Sequence, residues 1–294
     1  MKWHLKERLY IVALVLVIIM SVAYCSPEMD SQQEQYIEEY VPPSTEFEAF
    51  DKSFNISFTL QDTSILSRDI IAKQIGELVI LDGDMILGNV ADMIGIKSTM
   101  ISGPNKRWVG GIVPYTIEAG NRKRQVILEA IDHINSNTNV CLMERDEEND
   151  FVEFIMAGGC SSEVGRQEGK QVISVGRCQG MGNIVHEIGH TIGMFHEHAR
   201  TDRDDHVIIL ESNIKEGEEE NFQKYIDRGF NGQDLGKYDY RSIMHYGDRA
   251  FSIDRRRKKT ILTKPRNIPI GQRDRLSVKD INAINSIYTK DACN

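Results

Sequence analysis

The segment His186-Glu187-Ile188-Gly189-His190-Thr191-Ile192-Gly193-Met194-Phe195-His196-Glu197 carries three imidazoles and two carboxylates within one short run. Histidines four apart share one face of an α-helix, one turn from each other, so His186 and His190 can reach one metal ion. Glu187 stands beside the first of them and can project toward a water on that metal. Gly193 adopts backbone conformations that a residue with a Cβ resists, which lets the chain double back. His196 then arrives from another direction as a third nitrogen ligand. Three protein ligands plus water make a catalytic zinc site, because one coordination position stays open.

The helical half of this pattern alone is short, and an amphipathic helix can carry two solvated histidines. Gly193 and His196 make it specific, and so does Ser242-Ile243-Met244-His245-Tyr246 downstream. Alone, Met244 would be a core filler. Placed after H-E-x-x-H-x-x-G-x-x-H, it reads as an apolar floor in a tight turn beneath the metal, the metzincin pattern. Further residues narrow the likeness: Glu197 directly after the third histidine, His198-Ala199-Arg200, Asp202-Arg203-Asp204 and Trp108-x-x-Gly111-x-x-Pro114-Tyr115. Ile270-Gly271-Gln272-Arg273, Leu276-Ser277 and Asp280-Ile281 belong with them. Over residues 98–294 the chain resembles the astacin zinc endopeptidases.

The resemblance implies an α+β, metzincin-like zinc protease domain. Its parts are an N-terminal mixed sheet with two long helices, a mostly irregular C-terminal subdomain, and an active-site cleft between them. It implies one Zn2+ per subunit on His186, His190 and His196, with Glu187 as general base and Tyr246 as oxyanion partner. By that likeness the Tyr246 phenol ligates zinc at rest and swings out to bind the transition state. Met244 and Glu197 take structural roles, Glu197 by meeting the N-terminus of the processed enzyme. His198 and His245 fall out of register with the ligands and read as structural. Many astacins also carry a pro-segment with an F-x-G-D motif whose aspartate displaces the zinc-bound water. Leu81-Asp82-Gly83-Asp84 matches it with Leu81 in place of the aromatic residue, making Asp84 the candidate inhibitory ligand. Read locally, the same stretch is an ordinary Asp-Gly turn between apolar runs.

Organisation follows. Lys2, Lys6 and Arg8 precede the apolar stretch Ile11–Val22, and Ala23-Tyr24-Cys25 has small residues at cleavage spacing, so residues 1–25 read as a secretory signal. That stretch is short for a membrane span, and no stable membrane association is expected. Residues 26–97 form the expected pro-segment. A trypsin-like protease cutting after Lys97 would release a catalytic domain of residues 98–294. The net charge is −9, and residues 1–97 hold 7 Lys+Arg against 15 Asp+Glu, so the acidity belongs to the N-terminal third. There is no net basic domain and no nucleic-acid motif, so no nucleic-acid partner is expected. Arg255-Arg256-Arg257-Lys258-Lys259 reads as a solvated loop.

Loss of Cys25 with the signal leaves Cys141, Cys160, Cys178 and Cys293 in an oxidising compartment. Their count alone allows three connectivities. Cys160 and Cys178 would close a local loop; Cys141–Cys293 with Cys160–Cys178 is the pairing the resemblance implies. Asn55-Ile56-Ser57 is a possible glycosylation acceptor.

Periodicity predicts strands over 112–117, 151–156 and 171–175. It predicts helices over 122–137, 183–193 and 276–287, with a short one over 216–225. Residues 26–60 read as poorly ordered and 61–77 as helical. These features add up to a secreted, zymogen-activated zinc endopeptidase acting on extracellular proteins or peptides. The competing reading, a catalytically silent extracellular binding protein, is disfavoured because every residue the chemistry requires is present.

Overall fold

The computed structural model describes residues 54–60, 68–75, 78–89, 106–230 and 232–289. The signal reading, the cleavage point after Lys97 and Cys293 lie outside them. Among the described residues no helix is long and apolar enough to cross a membrane.

The fold is organised by a sheet of order β1-β2-β3-β4-β8-β9-β7-β5-β6. Strands β5 (Ile112–Ile117), β6 (Cys141–Glu144), β7 (Phe151–Ile155) and β9 (Lys170–Ser174) run parallel in the order β9-β7-β5-β6. β8 (Ser161–Glu163) is antiparallel to β9. Helix α1 (Arg124–Asn137) joins parallel neighbours β5 and β6, the connection that such a pair requires. Its inner face is Ile127, Ala130, Ile131 and Ile134, all buried; Val126, also expected there, is only partly covered. The helix begins at Arg124 rather than Arg122, because the Asn121 side chain accepts from the backbone N–H of Lys123 at 3.0 Å.

Helix α2 (Met181–Thr191) packs against α1 and the sheet, and every residue from Gly182 to Thr191 is buried. Glycine permits this depth at two points. A Cβ at Gly182 would lie 1.6 Å from the carbonyl oxygen of Arg273, and one at Gly189 would lie 2.8 Å from Met244 Sδ. Beyond α2, residues 192–277 are mostly irregular. They hold short 3-10 turns and the two-stranded pairing of β10 (Val207–Ile209) with β11 (Ile261–Thr263). The expected helix over 216–225 is one 3-10 turn, Glu219–Phe222. Helix α3 (Val278–Ile287) follows a capping box between Ser277 and Asp280.

The N-terminal segment departs from expectation. Residues Phe54–Leu60 form β1 and Arg68–Ile75 form β2, where disorder and helix were expected. Phe54, Ile56, Phe58 and Leu60 alternate with polar residues, the period of a strand. Ile70, Ile71 and Ile75 favour extended backbone, and pairing with β1 and β3 (Leu78–Leu81) overrides the helical pattern. Asn55 thus lies on β1, at one end of the sheet. β3 turns back into β4 (Met85–Asn89) through Asp82-Gly83-Asp84. β4 then lies parallel to β8, pairing Met85 with Ser162 and Ile86 with Glu163. An N-terminal hairpin therefore covers the edge of the five-stranded portion β8-β9-β7-β5-β6.

Candidate active site

The end of α2 explains how three histidines converge. Met194 N–H donates to Gly189 O at 2.9 Å and Gly193 N–H to His190 O at 2.8 Å, with Gly193 at φ 100°. This is a Schellman turn, which needs a left-handed residue just past the helix and so selects glycine. The carbonyls left over at the helix end are also used: Trp108 Nε1 donates to Thr191 O and Tyr288 Oη to Ile192 O, each at 2.9 Å. Fixed at both points, the chain reverses and brings His196 back against His186 and His190, with ring centroids 5.3 and 4.7 Å away.

Each ring is oriented through Nδ1. His186 Nδ1 donates to Ile243 O at 2.8 Å, and His190 Nδ1 to Met194 O at 2.9 Å. His196 Nδ1 faces Asp82 Oδ2 at 3.3 Å. These partners set the tautomer and leave each Nε2 lone pair pointing inward. The Asp84 carboxylate meets the three Nε2 atoms at 3.4 Å (His186), 3.7 Å (His190) and 3.3 Å (His196). Donor atoms of all four residues lie within 4.8 Å of one another, all buried. Among the described residues, Asp84 Oδ1, His190 Nε2 and His196 Nε2 of that group have no hydrogen-bond partner. Buried nitrogen and oxygen atoms aimed at one point fit a cation, and such a donor set suits zinc.

The electrostatics agree. Burial pushes His186 down to about 4 and His190 well below its ordinary value, so both rings stay neutral and can offer a lone pair to a metal. Burial also disfavours a charged Asp84, but the surrounding histidines outweigh it and hold the carboxyl well below its ordinary value. At His196 the carboxylates of Asp84 and Asp82 overcome burial and lift the ring to about 9. The cluster attracts positive charge.

Met244 is fully buried, under the helix at Gly189, and its carbonyl accepts from Glu197 N–H at 3.0 Å. The turn that presents it is held by Asp280, whose carboxylate accepts from Ser242 Oγ at 2.6 Å and Ile243 N–H at 2.9 Å. Glu187 is buried on α2, its carboxylate among the sulfurs of Cys160 and Cys178. Those two cysteines form a disulfide. Cys141 is also disulfide-bonded, and its expected partner Cys293 lies outside the described residues. Tyr246 stacks on His198 at 3.8 Å and lies 4.7 Å from the His196 ring. Its hydroxyl donates to the backbone oxygen of Asp82. His198 and His245 bond elsewhere, to Asn221 O and to the Tyr238 hydroxyl. Glu197 accepts from Asp239 N–H at 2.6 Å and lines a cavity of about 150 Å³ with Lys106, Arg107, Gly193, Arg200 and Asp234.

Two residues of this site stand in the quoted motifs with no role assigned to them from the sequence. Asp82 is buried at φ 57° and pairs with Arg228, itself buried and bonded to Glu220 O. Asp280 stands in the sequence in the pair Asp280-Ile281 and in a Ser-x-x-Asp helix start, neither of which shows that it holds the Met244 turn.

The family model described as Astacin, a peptidase family, matches residues 100–289. Zinc metalloproteinase nas-14 of Caenorhabditis elegans is 36% identical over 254 residues, 84% of this chain. The chain spans about half of that protein's length, 49%. Astacin-like metalloprotease toxin 1 of Loxosceles intermedia is 36% identical over 216 residues, covering 71% of this chain and 80% of the toxin. Among solved structures, high choriolytic enzyme 1, a hatching enzyme zinc-protease from Oryzias latipes, matches with a TM-score of 0.56 at 34% identity. That match covers 65% of this chain and 94% of the enzyme.

Proposed function

We propose, from the premise that this chain belongs to the astacin family of peptidases, that it is a secreted zinc metalloendopeptidase made as a zymogen. The observation that carries the reading is the convergence of His186, His190 and His196 on the Asp84 carboxylate. The three histidines hold zinc. When bound, zinc supplies Lewis-acid polarisation of the scissile carbonyl and lowers the pKa of water. Glu187, rigid in a fully buried helix, takes the proton of the attacking water and passes it to the leaving amine. Tyr246 donates its phenolic hydrogen to the oxyanion as the carbonyl becomes tetrahedral. Met244 and the turn around it hold the rings in place and take no part in bond making.

Latency follows from the same contacts. Asp84 occupies the open face of the three nitrogens, and the Tyr246 hydroxyl is engaged by Asp82. The hairpin also occupies the β8 edge, along which an extended polypeptide would otherwise pair. Residues 26–97 are then the pro-segment, and a trypsin-like cut after Lys97 releases the domain of residues 98–294. The cavity beside Glu197 supports insertion of the new N-terminus there, as the family likeness implies. Secretion is supported by the Cys160–Cys178 disulfide, which an oxidising compartment favours. Substrates are extracellular proteins or peptides.

The test is cleavage of casein by the trypsin-treated secreted protein, with and without a zinc chelator, beside Glu187→Ala. Activity that requires trypsin, zinc and Glu187 is the expected result. Correct processing and bound zinc without hydrolysis of any protein would overturn the reading in favour of a binding role.

A further inference from the structure

The basic run Arg255-Arg256-Arg257-Lys258-Lys259 takes no part in the reaction described above. Blocks of like charge usually stay unstructured, yet this one is a hydrogen-bonded turn. Asp254 Oδ1 accepts from Arg256 N–H at 3.0 Å. The Asp254 backbone oxygen accepts from the N–H groups of Arg257 and Lys258 at 3.2 and 2.8 Å. Ser252 Oγ donates to Lys258 O and Asn213 Nδ2 to Lys259 O, each at 2.7 Å, which closes the base of the turn. Ser252 and Thr260, on either side of it, are buried, so the turn stands on the packed part of the irregular subdomain.

Arg256, Arg257 and Lys258 are exposed on this turn. Among the described residues no carboxylate pairs with any of the three, because the acids nearest in sequence are engaged elsewhere. Asp248 holds Lys259 at 2.8 Å and Arg249 at 3.3 Å. Asp254 turns a carboxylate oxygen to the backbone. Three adjacent cations therefore sit side by side on a fixed backbone, where their mutual repulsion favours an anion from outside. A single small anion meets one or two of them. A chain of repeated charges meets all three and gains by releasing its condensed counterions. Guanidinium groups suit oxyanions, to which they donate in pairs. The chain as a whole carries −9, so a polyanion is repelled at long range and held only where cations are gathered.

Resting on secretion as read above, which places the protein among extracellular polymers, we propose that Arg256, Arg257 and Lys258 form a binding surface for a sulfated polysaccharide. The turn tethers the secreted protein to polysaccharide-bearing material and raises its concentration there.

Heparin is the probe. A labelled heparin fragment is titrated with the secreted full-length protein by fluorescence anisotropy at about 0.15 M salt. The triple variant Arg256→Ala, Arg257→Ala, Lys258→Ala is measured beside it. All three side chains are exposed, so the variant should keep the wild-type Tm. Wild type should bind about tenfold more tightly or better, with a slope of log K against log salt steeper by about 2–3, near one per cation removed. Absence of saturable binding by wild type, or equal binding by the variant, overturns the proposal. Duplex DNA of similar length and desulfated heparin should each bind more weakly than heparin; equal affinity for either overturns the assignment to sulfated polysaccharide. A footprint on wild type needs no variant and so guards against misfolding. Heparin should protect Arg256 and Arg257 from phenylglyoxal, read by mass spectrometry, and leave the exposed Arg122 and Arg275 reactive. Equal protection of all four would overturn the site. None of these measurements requires hydrolysis, so a protein that cleaves nothing yet binds heparin through this turn would sink the peptidase reading and leave the surface standing.

Discussion

Removing the carboxylate of Asp280 should loosen the metal centre from a distance. Asp280 makes no contact with a histidine among its described bonds. It accepts from Ser242 Oγ at 2.6 Å, Ile243 N–H at 2.9 Å and Ser277 N–H at 2.9 Å. Thus one buried side chain both caps α3 and holds the turn whose Ile243 carbonyl orients His186. A hydrogen bond to a charged group contributes roughly 1.5–3 kcal/mol net. Three of them are offset by the cost of burying the acid, which raises its pKa above the ordinary value. Asp280→Ala should therefore cost about 3–5 kcal/mol, within the range for breaking a buried polar network. For a domain of this size that is a fall in Tm of roughly 10 °C or more. Loss of the partner that orients a ligand should also weaken zinc by about 10–100-fold. Asp280→Asn keeps an acceptor oxygen and should lose roughly half as much stability. Thermal unfolding of the secreted precursor, with zinc retention measured against a competing chelator, reads both effects. Stability within about 1 kcal/mol of wild type and unchanged zinc affinity for Asp280→Ala would refute the linkage.

Other substitutions separate latency, catalysis and stability. Asp84→Ala in the uncut precursor should give measurable hydrolysis, but only part of the processed rate, because Arg228 and the β4–β8 pairing still hold the hairpin. Adding Asp82→Asn should raise it further, and a double variant as silent as wild type would contradict the autoinhibition. Tyr246→Phe in the processed enzyme should retain zinc and lose about 100-fold or more in kcat; an unchanged kcat would remove Tyr246 from the reaction. Gly193→Ala, at φ 100°, should cost about 1–3 kcal/mol, read by chemical denaturation; equal stability would mean that the reversal does not need glycine. Glu163 is pushed up to about 7 by burial, against backbone hydrogen bonds that lower it. The folded state then keeps a proton that the unfolded chain releases near pH 4.5, so stability is full below that pH and falls toward pH 7. The loss should total roughly 2–3 kcal/mol, and Glu163→Gln should flatten it; parallel Tm-versus-pH curves would refute this.

The convergence of the three histidines is readable because its determinants are local. Spacing of four puts His186 and His190 on one helix face, and Gly193 marks the reversal that returns His196. The structure adds the mechanism of that reversal, a Schellman turn whose Met194 carbonyl also orients His190. What orients the other two rings was hidden, because it comes from far along the chain. Ile243 lies 57 residues beyond His186, and Asp82 lies 114 before His196. No short pattern encodes such partners. The N-terminal strands differ from the sequence pattern for another reason. Phe54–Leu60 does alternate, but it sits in an acidic, polar stretch whose composition is that of a disordered segment, and a single strand becomes visible only with the neighbour it pairs with. Over 68–75 the apolar residues fit either period, and sheet pairing decided the matter.

At Asp82-Gly83-Asp84 the two readings that competed in the sequence describe one object. The segment is an Asp-Gly turn, with both residues left-handed at φ 57° and 85°. It is also the piece of chain that carries a carboxylate to the histidines, because a hairpin tip is the narrowest structure that can enter a cleft while its strands stay paired. The tip sits against Phe251, and a Cβ at Gly83 would lie 2.8 Å from that ring's Cζ. Glycine is therefore favoured there by backbone angle, and a Cβ would also force the Phe251 ring to shift. With the central position reduced to hydrogen, the flanking acids diverge: Asp84 faces the three Nε2 atoms, while Asp82 reaches Arg228 and the back of His196. An acid-Gly-acid tip thus sets one carboxylate among the three histidines and a second on the buried Arg228 at once. The second is the one that the zinc-ligand motif alone gives no reason to expect.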